Sequence, residues 1–332
     1  VDELLINPGW MPVDAVVVDG RPGLTWMNLS DVELKEPFFQ QTIDRVREQE
    51  PWRGDLFTEF DALLQLDQEL PRAQPSGFIF HSSRCGSTLL SNACRALDDS
   101  IVLSEANVID KLVARFITDA ADDPVKSSLY SVLLRAAVNA LAQSNHTNEP
   151  RVFVKFAACS VSQLERIRRI WPDVPWVFNY RDPVETIVSN LTTVPPWLVD
   201  EDRRILARIT GTTPSAVAEM ALEELCARSI GSFYATAHSL ANGNSMLLNY
   251  NQLSVPALTS VLDFFQVSPT AEELERITSG SRIYSKEAAG AREFVPDAEA
   301  KQKSASDRVR ELAQQFAIGP YQALERKREM QS

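Results

Sequence analysis

Short apolar runs closed by turn residues recur along this chain, each followed by apolar positions at helical spacing. Phe78-Ile79-Phe80, Ile101-Val102-Leu103, Val152-Phe153-Val154, Trp176-Val177-Phe178 and Met246-Leu247-Leu248 are the runs. Continuous apolar runs of this length predict strands, and the helical spacing between them predicts crossover helices. Leu90, Ala93 and Leu97 share one helical face, and further helices are expected over about 125–142, 161–170, 215–241, 255–265 and 271–278. Within 215–241 the residues Leu222, Leu225, Phe233 and Leu240 form one stripe. Strands alternating with helices imply an α/β protein: a three-layer, P-loop-type parallel sheet flanked by helices.

The ends of the chain read differently. Residues 1–72 look like an N-terminal extension packed on the main domain. Ala15-Val16-Val17-Val18, a turn through Asp19-Gly20-Arg21-Pro22-Gly23, and Leu24-Thr25-Trp26-Met27 predict a hairpin. Helices should follow near 38–48 and 56–70, with Phe38, Ile43 and Val46 packing inward. A linker over 71–75 leads to the main domain, 73–280. The tail, 281–332, is polar and irregular to about 306, ends in a helix carrying Val309, Leu312 and Phe316, and should close over the ligand site. No internal repeat is visible.

Composition narrows the function. Of 332 residues, 44% are hydrophobic and 23% charged, ordinary values for a globular protein. The net charge of −12 disfavours a nucleic-acid partner, while a local basic pocket still suits a small anion. No run approaches the ~18 apolar residues of a membrane span. Val1-Asp2-Glu3 lacks the basic start of a signal peptide, and the absent initiator Met reads as a trimmed start. Cys85, Cys94, Cys159 and Cys226 are scattered, and with three isolated histidines they give no metal-ligand spacing, so free thiols and a cytoplasmic location are expected, with no metal.

The stretch Phe78 to Leu90 orders a strand, a polar turn with Arg84 and Gly86, the hydroxyls Ser87 and Thr88, and a helix start. Free N–H groups of a first helical turn and the macrodipole favour an anion there, and glycine permits its close approach. The loop lacks the Lys of a Walker A sequence and carries Arg84 earlier, which argues against an ordinary nucleotide kinase. A second basic site follows the strand ending at Tyr180. Arg181-Asp182-Pro183 opens a helix and Ser189 lies eight residues after Arg181. Both loops should emerge at the carboxyl edge of a parallel sheet, where a doubly phosphorylated nucleotide fits.

Together these segments resemble the sulfotransferases that use 3′-phosphoadenosine 5′-phosphosulfate (PAPS). Arg84-Cys85-Gly86-Ser87-Thr88 resembles the family loop for the 5′-phosphosulfate, with Cys85 in place of the usual Ser. Arg181 through Ser189 resembles its 3′-phosphate segment, and Tyr250-Asn251-Gln252-Leu253 its strand-end segment. The match spans about residues 76–255. The resemblance implies sulfuryl transfer to a hydroxyl or amine of a small-molecule or peptide acceptor without a metal, and binding of the product adenosine 3′,5′-bisphosphate (PAP). The cytosolic animal branch places a His two residues after a strand-end Lys. Here Lys155 is followed there by Ala157, so the resemblance turns to the tyrosylprotein-type and bacterial branch, which uses a Glu. Glu105 lies 21 residues beyond Arg84, as that branch's base does, and stands at a helix start. Glu105 is thus the expected base, and Arg84 and Lys155 the expected stabilisers of developing charge.

The family's basic closing triplet is absent, so Lys286, Lys301 and Lys303 stand as tail candidates by composition alone. Trp197, beside Pro195 and Pro196, hints at an apolar or ring-bearing acceptor. The competing readings are an atypical nucleotide-dependent kinase and a regulatory protein that binds a nucleotide without turnover.

Overall fold

The computed structural model describes residues 9–143, 150–281 and 297–331. Its centre is a five-stranded parallel sheet of β4 (Pro75–His81), β5 (Ser100–Ser104), β6 (Arg151–Lys155), β7 (Trp176–Tyr180) and β8 (Ser245–Asn249), in the order β5-β6-β4-β7-β8. Side chains alternate across it. Ile79, Phe153, Val177 and Leu248 enter one apolar cluster, while Phe78, Phe80, Val154, Trp176 and Phe178 enter the other. A sheet packed on both faces accounts for the unbroken apolar runs.

Before the sheet come β1 (Trp10–Val18), β2 (Arg21–Asn28), α1 (Phe39–Gln49), β3 (Leu56–Glu59) and α2 (Phe60–Glu69). β1 and β2 form the expected hairpin. Its two-residue turn, Asp19-Gly20, has positive φ at both positions (50° and 76°), which suits a right-twisted hairpin. Residues 56–59, expected as helix, instead pair antiparallel with β2, and Trp26 Nε1 donates to Thr58 Oγ1 at 2.8 Å. Pairing with an open strand edge overrides local helical preference there. The interior of this sheet joins the larger core through Val13, Leu24 and Trp26.

Within the main body, α3 (Ser87–Arg95) follows β4, and α4 (Asn107–Thr118) and α5 (Pro124–Leu141) follow β5. A 3-10 turn (Ala158–Gln163) and α6 (Leu164–Ile170) follow β6, and α7 (Pro183–Thr192) follows β7. Next come α8 (Arg203–Thr210), α9 (Pro214–Glu219) and α10 (Leu222–Leu240). The single helix expected over 215–241 is therefore two, broken at Met220 and Ala221, which are both extended. No Pro or Gly marks the break; Val217 and Leu225 each bury into the core, and the two helices take separate paths to do so. Past β8 lie α11 (Val255–Phe264), α12 (Ala271–Ser281), α13 (Ala298–Ser304), α14 (Asp307–Phe316) and α15 (Ile318–Glu329). Residues 298–304, expected to be irregular, are helical.

No helix among the described residues is long and apolar enough to cross a membrane. The C-terminal helices dock tightly on α10, where a Cβ on Gly231 would lie 2.1 Å from the Phe316 carbonyl oxygen. Alanine is the better helix former by about 1 kcal/mol. Gly231→Ala should nevertheless lower unfolding free energy by about 1–3 kcal/mol in urea titration, because backbone must move to admit the methyl. A stabilised variant would show that this close approach is not tight.

Candidate functional site

Strand order reverses at β4, whose neighbours β6 and β7 carry the chain to opposite sides of the sheet. Loops leaving the carboxyl ends of such strands diverge and leave a crevice. Here the crevice is a cleft of about 280 Å³, lined by the loop after β4, by Glu105 after β5, by Lys155 at the end of β6, and by Thr193–Trp197.

The loop after β4 is wound tightly. Ser83 (φ 72°), Arg84 (φ 51°) and Gly86 (φ 80°) are all left-handed. Gly86 caps α3 without a side-chain bond to the first helical turn, so main-chain N–H groups face the cleft end of the helix. A Cβ on Gly86 would meet only the movable end of Leu253, Cδ1 at 2.4 Å, so it is the backbone conformation that demands glycine. Two adjacent residues tie the loop down. Ser83 Oγ donates to Asn190 Oδ1 on α7 at 2.8 Å, and Arg84 Nη2 donates to the Thr193 carbonyl at 2.6 Å. Ser87 and Thr88 are buried at the start of α3 and line the cleft. Cys85 departs from expectation: its Sγ donates to the Asn179 carbonyl at 3.0 Å, and the side chain is fully buried beneath the loop. Burial raises that thiol, so only the Cys85 main chain is available to a ligand.

Glu105 and Lys155 meet because β5 and β6 are in register, Ser104 opposite Lys155, with Glu105 N–H donating to the Lys155 carbonyl at 2.8 Å. Glu105 is not the first residue of a helix, as expected. It is a turn residue (φ 49°), and α4 starts two residues later with Ala106 as cap. That turn aims its carboxylate at Lys155 Nζ and forms an ion pair with it, the Lys155 side chain being 1% exposed. Burial by itself would raise the Glu105 carboxyl; Lys155 and then His81 outweigh it and hold the group far below the carboxylate range.

Three further residues surround the pair. His81 Nε2 lies 3.3 Å from Glu105 Oε1, and the Ser83 N–H donates to His81 Nδ1 at 3.0 Å, which leaves the ring proton on Nε2 facing the carboxylate. Asp110, on α4, accepts the Ala157 N–H at 3.1 Å. Its carboxyl is pushed up to about 8 by burial and by the charge of Glu105. The ring of Phe38, expected to pack inward, instead lines the cleft with Lys155 Nζ 4.6 Å from its centroid. His81 carried one sequence signal, its place at the end of a buried strand. Phe38 carried none, because only the tertiary docking of the N-terminal region brings it here.

Arg181 forms a second group beside the first. It is 2% exposed, with Nε donating to Glu185 Oε2 at 2.7 Å, Nη2 to Asp297 Oδ1 at 2.6 Å, and its guanidinium 4.0 Å from the Tyr250 ring centroid. Lys301 Nζ reaches Asp297 Oδ2 at 2.6 Å, so two cations converge on one carboxylate. Tyr250 is shared, since it also flanks Gly86. Ser189 is half-buried on α7, two turns beyond Arg181, and does not line the cleft. Lys303 does not join the group: its side chain is 76% exposed and pairs with Glu299 along α13. Two residues after Lys301 on a helix, it faces another way. Lys286 lies outside the described residues. Among these residues no cluster suited to a metal ion occurs, and the four cysteines are free.

The pairing of Lys155 with Glu105 predicts a titration. In Lys155→Met, burial and Asp110 act on Glu105 without the main opposing charge, so its carboxyl should rise above the ordinary value of about 4.3. Carbon-13 NMR of the glutamate carboxyls, assigned against Glu105→Gln, reads this directly. An unmoved Glu105 would show that Lys155 is not its main partner. The sign for stability follows: a depressed carboxyl stabilises the fold above its unfolded value and loses that contribution as pH falls through the folded one.

No family model matches the chain, and no curated protein matches it. Solved structures do. A sulfotransferase from Mycobacterium avium is 11% identical, covers 66% of this chain and 71% of its own, and superposes with a TM-score of 0.42. A sulfotransferase domain of the curacin biosynthetic pathway is 17% identical over 74% of this chain and 98% of its own, with a TM-score of 0.41. A sulfotransferase from Alicyclobacillus acidocaldarius is 14% identical over 77% and 96%, with a TM-score of 0.39. These structural neighbours of the chain are all sulfotransferases.

Proposed function

We propose that this chain transfers a sulfuryl group from PAPS to a hydroxyl or amine of a small-molecule or peptide acceptor, with Glu105 as general base and no metal. The observation that carries the proposal is the meeting, in one cleft, of a glycine-bearing loop at a helix N-terminus with a lysine-paired carboxylate.

The residues fit the donor at the phosphosulfate end. The left-handed turn at Gly86 opens onto the N-terminus of α3, and Arg84 Nε is buried without a hydrogen-bond partner. Arg84 and the N–H groups of Gly86, Ser87 and Thr88 would hold the phosphosulfate, as charge-assisted donors suit its oxygens. Arg181, Ser189, Tyr250 and Lys301 would hold the 3′-phosphate end. PAPS supplies an activated sulfuryl group when bound.

Glu105 takes the acceptor proton as its oxygen bonds to sulfur, and PAP departs with the electrons of the broken S–O bond. A carboxylate held so far below its usual range is always ionised but weakly basic. Its basicity returns when Lys155 turns from it toward the negative charge of the donor, where Lys155 also stabilises the leaving oxygen. The pair thus keeps the base idle until a donor is present.

A second reading, nucleotide binding without turnover, is favoured by one observation: buried Lys155 pairs with Glu105 and leaves it a weak base. Transfer of radiolabelled sulfate from PAPS to a panel of hydroxyl acceptors separates the two. Transfer is expected, and Glu105→Gln should bind PAP normally while losing about 10²–10⁴ in rate. Unchanged turnover in that variant would remove Glu105 as base. Asp297→Ala should tighten PAP binding roughly two- to fivefold, the scale of a half-exposed ion pair. Unaltered affinity would mean that Asp297 does not compete with the 3′-phosphate.

A further inference from the structure

The two edges of the central sheet differ. At the β8 edge the chain itself meets the outward main-chain groups. Leu247 N–H donates to Gln331 Oε1 at 3.3 Å, and Gln331 Nε2 donates to the Ser245 carbonyl at 3.2 Å. One side-chain amide there imitates a next strand. β5 is the other edge. Arg151 N–H donates to the Asp99 carbonyl at 2.9 Å and Glu105 N–H to the Lys155 carbonyl at 2.8 Å, so the odd-numbered residues of β5 bond β6. By alternation Ser100 and Val102 turn their N–H and C=O groups to the open side. No main-chain or side-chain group of the described residues bonds them there.

That side opens on a groove of about 420 Å³, and no residue lines both it and the cleft. Ser100, Ile101 and Val102 of β5 line it, with apolar surface from Leu29, Val32 and Leu34. Its cations are committed: Lys35 pairs with Glu33, and Arg95 donates to the Leu34 carbonyl and to Asn92 Oδ1. Asp98 is held by Arg276. The carboxylate of Asp99, which also lines the groove, has no partner among the described residues. An open strand edge beside apolar surface suits another main chain. An extended segment supplies N–H and C=O groups at the strand repeat, while its alternate side chains meet the apolar surface.

We propose that this groove takes an extended peptide segment of a partner protein, which adds to β5 through Ser100 and Val102 and sets a basic side chain against Asp99. The open edge of β5 then does for a partner what the β8 edge does for Gln331.

The test is calorimetric titration of the full chain with a blocked hexapeptide, acetyl-Lys-Val-Thr-Val-Thr-Val-amide. Saturable binding is expected. Two N-methylated versions, one methylated at alternate residues from the first and the other at the remaining residues, should differ about tenfold or more, because only one set of N–H groups faces β5. Asp99→Asn keeps a residue tolerant of the left-handed backbone there (φ 53°). It should weaken the parent peptide about two- to fivefold, the scale of an exposed ion pair. No binding of the parent peptide, equal affinity of the two methylated peptides, or unmoved affinity in Asp99→Asn would each overturn the proposal. Binding that appears only in a chain starting at Gly9 would assign the groove to residues 1–8 of this protein, and would overturn it too.

Discussion

A lysine at 1% exposure is tolerable only with a counter-charge, and the site depends on how that need is met. Lys155 closes the strand between β5 and β4, so its partner must come from a neighbouring strand end. The left-handed turn at Glu105 supplies it, and His81 at the end of β4 adds a second contact to the same carboxylate. Three adjacent strand ends are thereby joined through one carboxylate, placed beside the loop after β4. Under the proposed function, a charge pair that is structurally obligatory in the free protein would also supply the base and the cation, once an anionic donor separates them.

The group around Arg181 shows a comparable economy. Gly86, Tyr250 and Arg181 are stacked in contact, so the loop after β4 and the one after β8 share Tyr250 as a common wall. Arg181 and Lys301 converge on Asp297, and the carboxylate occupies the position where two cations would otherwise repel. An arginine buried to this degree needs an anion at all times. In the free protein the chain provides its own, through Glu185 on α7 and Asp297 at the start of α13.

Much of this was legible in the sequence because buried strands and phosphate loops are local signals. The five sheet strands were visible as apolar runs, Lys155 and Arg181 were marked by strand ends, Arg84 and Gly86 by their polar turn, and Glu105 by its spacing from Arg84. What the sequence hid is tertiary. Residues 56–59 became a strand because β2 offered an edge, and 215–241 broke where its two halves bury separately. Cys85 was counted with its loop by spacing, yet loop winding turns its thiol into the core. Lys303 was a candidate by charge alone, and helix phase carried it to solvent. Phe38 and Asp297 lie far in sequence from the groups they touch, and no local pattern announces such contacts.

The central claim is that the two anion sites form one seat for a nucleotide phosphorylated at both the 3′ and 5′ positions. Calorimetric titration of the unmodified protein with PAP, with ADP and ATP in parallel, tests it most directly. Binding of PAP near micromolar, about −8 kcal/mol, with ADP and ATP far weaker is the predicted result. ATP binding as tight as PAP, or silence toward PAP, would contradict it.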